Sequence, residues 1–382
     1  MNISMEFFNI SGFVVSVLMI VFIYSMNNQR EMIKILLQQR SSRISLIVIS
    51  TCLYGAFLGV SEEILDKLVY HQSALEIGAQ SPFSAIRQES KILINSLLIF
   101  MIVGIIFWGS LQKMSSSRKY IFNLFKNIHF FYFVLFYLST KIYLLGTDSL
   151  GIDIFYLMIK SLKTGFSFVG LTLSITIFLG TVIGLIAGWA RGWKSIILDI
   201  FYTIVNTIPS LLLLMIILFF VQDQLLSYEN LNSKIWAEVS ILSMSIAFGC
   251  TQWVHLCRLV RAETLKIREL DYITALRVMN VSLFKILFKH ILPQLYPLIF
   301  LVGMMEISGY FLAEALLSFL GLGLTGQIES FGSLMNQYRT GILLDPIVWW
   351  PILDIFFILT PLVVSFNVLR DNIESIKNEA QL

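Results

Sequence analysis

Uncharged apolar runs of about twenty residues recur from one end of the chain to the other, and they restrict it to one architecture. A helix needs about 20 apolar residues to cross roughly 30 Å of hydrocarbon. Inside lipid every backbone amide and carbonyl must be satisfied internally, which leaves helices and closed barrels. The short alternating segments of a barrel are absent from the sequence. With 57% hydrophobic and 13% charged residues, the chain also has too little charge to cover a soluble domain. It reads as all-α, a polytopic helical membrane protein with about nine spans, at 7–26, 44–61, 92–112, 128–145, 165–190, 200–222, 239–257, 296–320 and 347–369.

The loops between these spans alternate in charge. Arg30, Lys34, Arg40 and Arg43 lie in 27–43, and Lys113, Arg118, Lys119 and Lys126 in 113–127. Arg191 and Lys194 follow the fifth span, and 258–289 carries seven basic residues against three acidic ones. The intervening loops at 62–90, 146–153 and 223–238 are acidic. Basic loops stay on the cytoplasmic side, so the N-terminus is expected outside and the C-terminus in the cytoplasm. Lys141 would have to snorkel at the outer end of its span. The first span, Phe7 to Met26, lacks a preceding basic residue and a small-residue cleavage site, so it reads as a retained helix rather than a signal peptide. A net charge of +3 gives no reason to expect nucleic acid as a partner.

Neither the three cysteines (Cys52, Cys250, Cys257) nor the four scattered histidines have metal-ligand spacing. The sequence contains no phosphate-binding Gly-x4-Gly-Lys-Ser/Thr loop, no His-Glu-x-x-His pair and no Gly-x-Ser-x-Gly elbow. No enzymatic activity and no bound cofactor are expected of this chain; nucleotide, if used, would be held by another subunit. Gly180, Gly184 and Gly188 place three hydrogen side chains on one helix face, suited to close packing within the chain or against another subunit. Pro209 should kink or open the sixth span.

The 258–289 segment is too polar to enter lipid. Tyr272, Ala275, Leu276 and Met279 follow at offsets of three and four, which makes one helical stripe. Asp271 suits the positive end of that helix. Asn280 tolerates positive φ, so the helix should stop there, with Ser282 free to cap the next one and Pro293 marking its entry into the membrane. Such a stripe, ringed by bases, could lie on membrane lipid headgroups or dock in a protein groove.

Four stretches resolve that choice by likeness. They are LGTDSLGID (145–153), RLVRAETLKIRELDYITALRVMNVSLFKILFKHILP (258–293), AEALLSFLGLG (313–323), and the pair FGSLM (331–335) and FNVLRD (366–371). In this order they resemble the permease subunits of ABC importers, in particular the C-type permeases of dipeptide, oligopeptide and nickel systems, from about residue 144 onward. The resemblance implies two parts: an N-terminal extension of about three transmembrane helices (1–127) and a six-span permease domain (128–382). It implies that 268–282 is the coupling helix that docks on a cytoplasmic ATPase, with Asp271, Tyr272, Thr274, Ala275, Leu276, Met279 and Asn280 at the contact. The pattern departs from the family's: Glu-Ala-Ala is Thr274-Ala275-Leu276, Gly is Asn280, Arg is Ile152 and Trp is Phe331.

The implied function is the transmembrane permease of a binding-protein-dependent ABC importer in the cell inner membrane, moving short peptides or a related small solute. The implied partners are a second homologous permease, cytoplasmic ABC ATPase subunits that bind the ATP, and an extracytoplasmic solute-binding protein. That receptor should land on 145–153, 223–238 and 321–346. Rival readings are uptake of antimicrobial peptides or peptide-nucleotide compounds, or a sensor or scaffold that has lost ATPase coupling. Glu306, Glu314 and Asp354 fall inside or near the outer ends of spans, where ionisable groups tend to face a bundle interior or a water-filled path. They are the candidates for a translocation path or gate. Glu306 could instead pair with a neighbouring helix, and Glu314 could be bonded locally. Gly321, Gly323 and Gly326 should turn the chain back after the eighth span.

Overall fold

A computed structural model of the protein describes residues 41–42, 44–46, 48–49, 52, 145–148, 151–207, 213–220, 233–324, 328–339 and 348–379. The spans expected at 7–26, 92–112 and 128–145, nearly all of 44–61, and Lys141 and Pro209 lie outside the described residues. The described chain is helical. Helix α1 is Ile154–Trp189, α2 Trp193–Thr207, α3 Ser233–Arg268 and α4 Asp271–Val278. A continuous helix α5 runs Leu283–Phe319, followed by α6 at Phe331–Tyr338 and α7 at Trp350–Glu379. Among the described residues four helices are long and apolar enough to cross a membrane: α1, Glu238–Arg268 of α3, α5, and Trp350–Ser375 of α7.

All four outrun the expected spans. At ~1.5 Å per residue the 37 residues of α5 reach about 55 Å, well beyond roughly 30 Å of hydrocarbon. In α3 the surplus is the polar stretch RLVRAETLKIR, so the first third of the charged insert continues the spanning helix. Its residues favour helix, and Glu263 and Lys266 pair one turn apart at 2.8 Å. The expected span at 200–222 instead comprises α2, which starts at 193 just after Gly192 (φ 63°), and a helical stretch at 213–220.

The entry to the membrane at Pro293 differs too. The helix does not stop there; Ile286–Ile291 widens into a π turn immediately before Leu292-Pro293. Proline offers no N–H and crowds the carbonyl four residues back, and a wider turn relieves both problems. Ser282 occupies the cap position of α5, but its side chain makes no cap bond, and its backbone carbonyl accepts from Ile286 N at 3.1 Å.

Two compact units are present: Met1–Phe166 with Glu314–Leu369, and Ser167–Ala313 with Arg370–Leu382. In the second, the glycine face settles against its own chain. A Cβ on Gly184 would lie 2.8 Å from Cys257 O and Val260 Cβ, and one on Gly188 would lie 2.6 Å from Thr264 Cβ. The small-residue stripe of α1 therefore packs on α3 inside this chain. Phe168, Phe248 and Tyr310 stack edge to face at 5.2 and 6.4 Å, and the Tyr310 hydroxyl donates to Thr176 at 3.1 Å, which ties α1, α3 and α5 together.

In the first unit, the 145–153 turn is a knot of hydrogen bonds. Gly146 (φ 77°) and Gly151 (φ 78°) let it fold back, Thr147 bridges Asp153, and Asp148 Oδ1 accepts from Ile152 N at 2.8 Å. Asp153 caps α1 through Phe155 N at 3.0 Å. The Tyr338 hydroxyl donates to Asp148 Oδ2 (3.2 Å), and Trp350 Nε1 donates to Thr147 O (3.1 Å), which fastens α6 and α7 to the same turn.

Candidate functional site

Helix α4 is short, so what holds it decides what it can do. A free eight-residue helix does not persist in water. Ile273 anchors it: the side chain is 0% exposed and belongs to a core with Val260, Ile267, Ile286 and Ile291, against which Leu276 and Val281 also pack. Asn280 takes φ 59°, the one positive-φ residue besides glycine among those described, and ends the helix as its side chain suggests. Val281 N then reaches Leu276 O at 3.1 Å.

The other anchors are two arginines. Arg268 Nη1 donates to the carbonyls of Gly188, Trp189 and Ala190 at 2.9, 3.3 and 3.2 Å, covering the open C-terminal end of α1. Arg277, from α4, does the same for α3 by donating to Arg268 O at 3.0 Å, and its guanidinium lies 4.2 Å from the centre of the Trp189 ring. Glu269 bridges Arg268 (2.9 Å) and Arg191 (3.4 Å). The Arg268 hydrogen bond holds the exposed Glu269 carboxyl below its usual range. Whatever this cluster adds to stability is therefore present at neutral pH and is lost as acid takes the pH down through that lowered value. The end of α1 is thus closed from α3, and the end of α3 from α4. Ile273, Arg268 and Arg277 did not stand out in the sequence, although basic residues in a last helical turn are the usual partners of exposed carbonyls.

The expected contact residues separate into two groups. Asp271 starts α4, and with Tyr272, Thr274, Ala275, Met279 and Asn280 it is exposed. Leu276 is half-buried and leans on the core, so it supports the helix and does not project from it. Val278 is the most exposed apolar residue here at 82%, with Met279 at 65%. The stripe leaving the protein is therefore Tyr272, Ala275, Val278 and Met279. It continues onto α5, where Phe284 and Phe288 stack with ring centres 4.4 Å apart. The Tyr272 hydroxyl hydrogen-bonds to Gln294 of α5.

Of the three candidate acids, Glu306 pairs with a neighbouring helix: its Oε1 lies 3.2 Å from His255 Nδ1 on α3. Glu314 and Asp354 fall in the other unit. Glu314 is fully buried and accepts from Ser318 Oγ at 2.8 Å; the same Oγ accepts from Leu324 N at 2.9 Å. Leu322 N bonds Leu317 O (2.9 Å), Gly321 N bonds Ser318 O (3.1 Å), and Gly321 has φ 76°, so α5 ends in a Schellman turn. A Cβ on Gly323 would sit 2.6 Å from Ser318 Oγ. The stretch AEALLSFLGLG is thus a fold-back in which Glu314, one helical turn before Ser318, fixes the hydroxyl that holds the returning chain. Gly326 lies outside the described residues. Asp354 sits half-buried at the start of α7, with Oδ2 lacking a hydrogen-bond partner. Among the described residues no three His, Cys, Asp or Glu side chains gather as metal ligands.

Replacing Ser318 with alanine should leave Glu314 and Leu324 N each short of a partner in a buried place. About 1–3 kcal/mol of stability should go with it, seen as a lower unfolding temperature in detergent, whereas threonine, which keeps the hydroxyl, should recover most of it.

Residues 180–375 match the family described as "Binding-protein-dependent transport system inner membrane component". The chain is similar to the oligopeptide transport system permease protein OppC of Lactococcus lactis subsp. lactis (strain IL1403), at 28% identity over 234 residues, 60% of this chain and 74% of that protein. It is 32% identical to the OppC of Haemophilus influenzae over 134 residues, 35% of this chain and 42% of that protein. The dipeptide transport system permease protein DppC of Bacillus subtilis (strain 168) is 30% identical over 129 residues, 34% of this chain. The chain spans 40% of that protein's length, and so, as with the Haemophilus one, less than half of it.

Proposed function

This chain belongs to the family of inner membrane components of binding-protein-dependent transport systems, and from that premise we propose that it is the permease subunit of an importer of short peptides or a related small solute. The names of its relatives, oligopeptide and dipeptide permeases, support that choice of cargo. The drive comes from cytoplasmic ATPase subunits that hold the nucleotide. A second permease completes the pathway, and an extracytoplasmic receptor delivers the solute. In this reading the N-terminus is outside, the C-terminus is cytoplasmic, and residues 1–127 form an added helical segment ahead of the permease domain at 128–382.

One observation carries the coupling role of α4: its inner face is locked while its outer face is apolar and bare. Ile273, Arg268 and Arg277 bind α4 to the ends of α1 and α3, and only four residues, 279–282, separate its last residue from α5. A push on Tyr272, Val278 and Met279 would then be passed to the spanning helices as a rigid-body tilt that alternates access. The Asp148 and Asp153 carboxylates are consumed in holding their own turn, so a receptor would meet that turn's backbone and shape rather than free acids.

Val278→Asp and Met279→Asp each place a charge in the middle of the proposed contact without touching the core. Expected is the loss of most ATPase subunits from the purified complex, a tenfold or greater drop in recovery, with unchanged membrane insertion and thermal stability. Full ATPase recovery with both variants rejects the docking role.

A further inference from the structure

The His255–Glu306 pair is placed as a structural ion pair would not be. Glu306 lies thirteen residues before the end of α5 and His255 thirteen before the end of α3, about 20 Å from each helix end at ~1.5 Å per residue. Glu306 is therefore deep within its span, and His255 lies three residues before the polar stretch that begins at Arg258, toward one end of its own. Yet the side chains are 56% and 22% exposed. A half-uncovered ionisable pair facing hydrocarbon is costly, and such groups instead face water-filled routes or polar partners. One turn along α5, a side chain at Gly309 would meet nothing within 4 Å, so the space beside the carboxylate is open. Met305, also exposed, gives the site an apolar edge. The structurally committed acids look different: Asp148 and Glu314 are fully buried, and each is bonded to the turn it holds.

The geometry points to Glu306, backed by His255, as a binding site on the translocation route for the ammonium group of a passing solute, such as the amino terminus of a short peptide. This rests on the importer reading above. Glu306 supplies the negative charge, His255 orients the carboxylate and leaves its second oxygen free, and the gap beside Gly309 admits the ammonium's carbon neighbours. In a surrounding of low polarity a carboxylate prefers a cation strongly, while a neutral or acylated amine gains little.

The test uses the complete transporter with its ATPases and receptor, and reads the site in two ways. In a background whose three native cysteines are serine, His255→Cys is treated with a cationic trimethylammonium-ethyl thiosulfonate reagent and with its anionic sulfonatoethyl counterpart. The cation should react about tenfold faster than the anion, relative to their rates on a free thiol. Adding Glu306→Gln should abolish that preference, and adding Glu306→Asp should retain part of it. No reaction with either reagent, as when a second permease helix covers the pair, overturns the proposal, and so does a preference that survives Glu306→Gln. In parallel, uptake of tri-alanine and of N-acetyl-tri-alanine is compared. Glu306→Gln should slow the free peptide about tenfold and the acetylated one less than twofold; equal slowing overturns the role in recognising ammonium. If the unmodified transporter moves neither peptide, the peptide reading fails and the labelling ratio alone decides the site.

Discussion

Leucine in place of Gly184 should lower the stability of the protein by about 3 kcal/mol, and the same change at Gly188 by a similar amount. The reason is what the new side chain meets. At Gly184 the first carbon alone comes within 2.8 Å of a backbone oxygen, Cys257 O, and at Gly188 within 3.0 Å of Arg261 O. Backbone of a long helix cannot step aside as a side-chain tip can, so α1 and α3 must separate, and the dispersion contacts along that seam weaken together. Gly309 is the internal control. It is also a glycine in a spanning helix, but its Cβ position is open, so Gly309→Ala should change stability by less than about 1 kcal/mol, with the better helix propensity of alanine in its favour. Thermal unfolding in detergent measures all three. Equal tolerance at Gly184 and Gly309 would show that the α1–α3 contact is looser than described.

Arg268→Met should be the most damaging single change at the surface of the insert. The aliphatic stem is kept, so the packing survives, while three C-terminal carbonyls of α1 lose one shared charged donor. A hydrogen bond to a charged group adds about 1.5–3 kcal/mol, and the partly buried carbonyls left behind carry their own desolvation cost, so a loss of about 2–4 kcal/mol is expected. Arg268→Lys should restore some of this, since an ammonium still opposes the negative end of the helix, but not all, because it cannot span three oxygens as the guanidinium fork does. A further consequence separates this change from Val278→Asp. Arg268 also presents the backbone carbonyl that Arg277 caps, so loosening it frees α4, and both stability and ATPase recovery should fall. Val278→Asp should affect recovery alone. If Arg268→Met unfolds at the same temperature as the parent protein, the carbonyl cap contributes nothing and α4 is held by Ile273 and its neighbours.

The sequence and the structure agree closely where a residue's own chemistry is enough. Asn280 stops a helix because its short side chain tolerates positive φ, and it does so here. Gly321 ends α5 for the same kind of reason. Among the described residues the long apolar stretches become helices because lipid leaves them no other way to satisfy their amides. Agreement fails where the outcome depends on a partner far along the chain. Leu276 looked like part of an outward stripe, yet it is half-buried, since hydrophobic spacing gives a face but not the direction in which that face points. Ile273 gives no signal in the sequence for the same reason: it lies off the stripe, and only the core formed by α3 and α5 turns it inward. The Glu314 carboxylate could have served a gate or a fold; its bond to Ser318 shows what it holds locally, which no spacing rule distinguishes.

By itself, then, the order of residues determined that this chain crosses a membrane as helices, where several of them begin and end, and to which family it belongs through residues 180–375. Those outcomes follow from short-range steric preferences and from the absence of water in hydrocarbon, and both act residue by residue. Tertiary structure alone decided which glycines are pressed against a neighbouring backbone, which arginines close which helix ends, and that His255 and Glu306, 51 residues apart, meet at 3.2 Å. Those depend on how distant segments stack, and the energy of a contact exists only once both sides have been brought within reach.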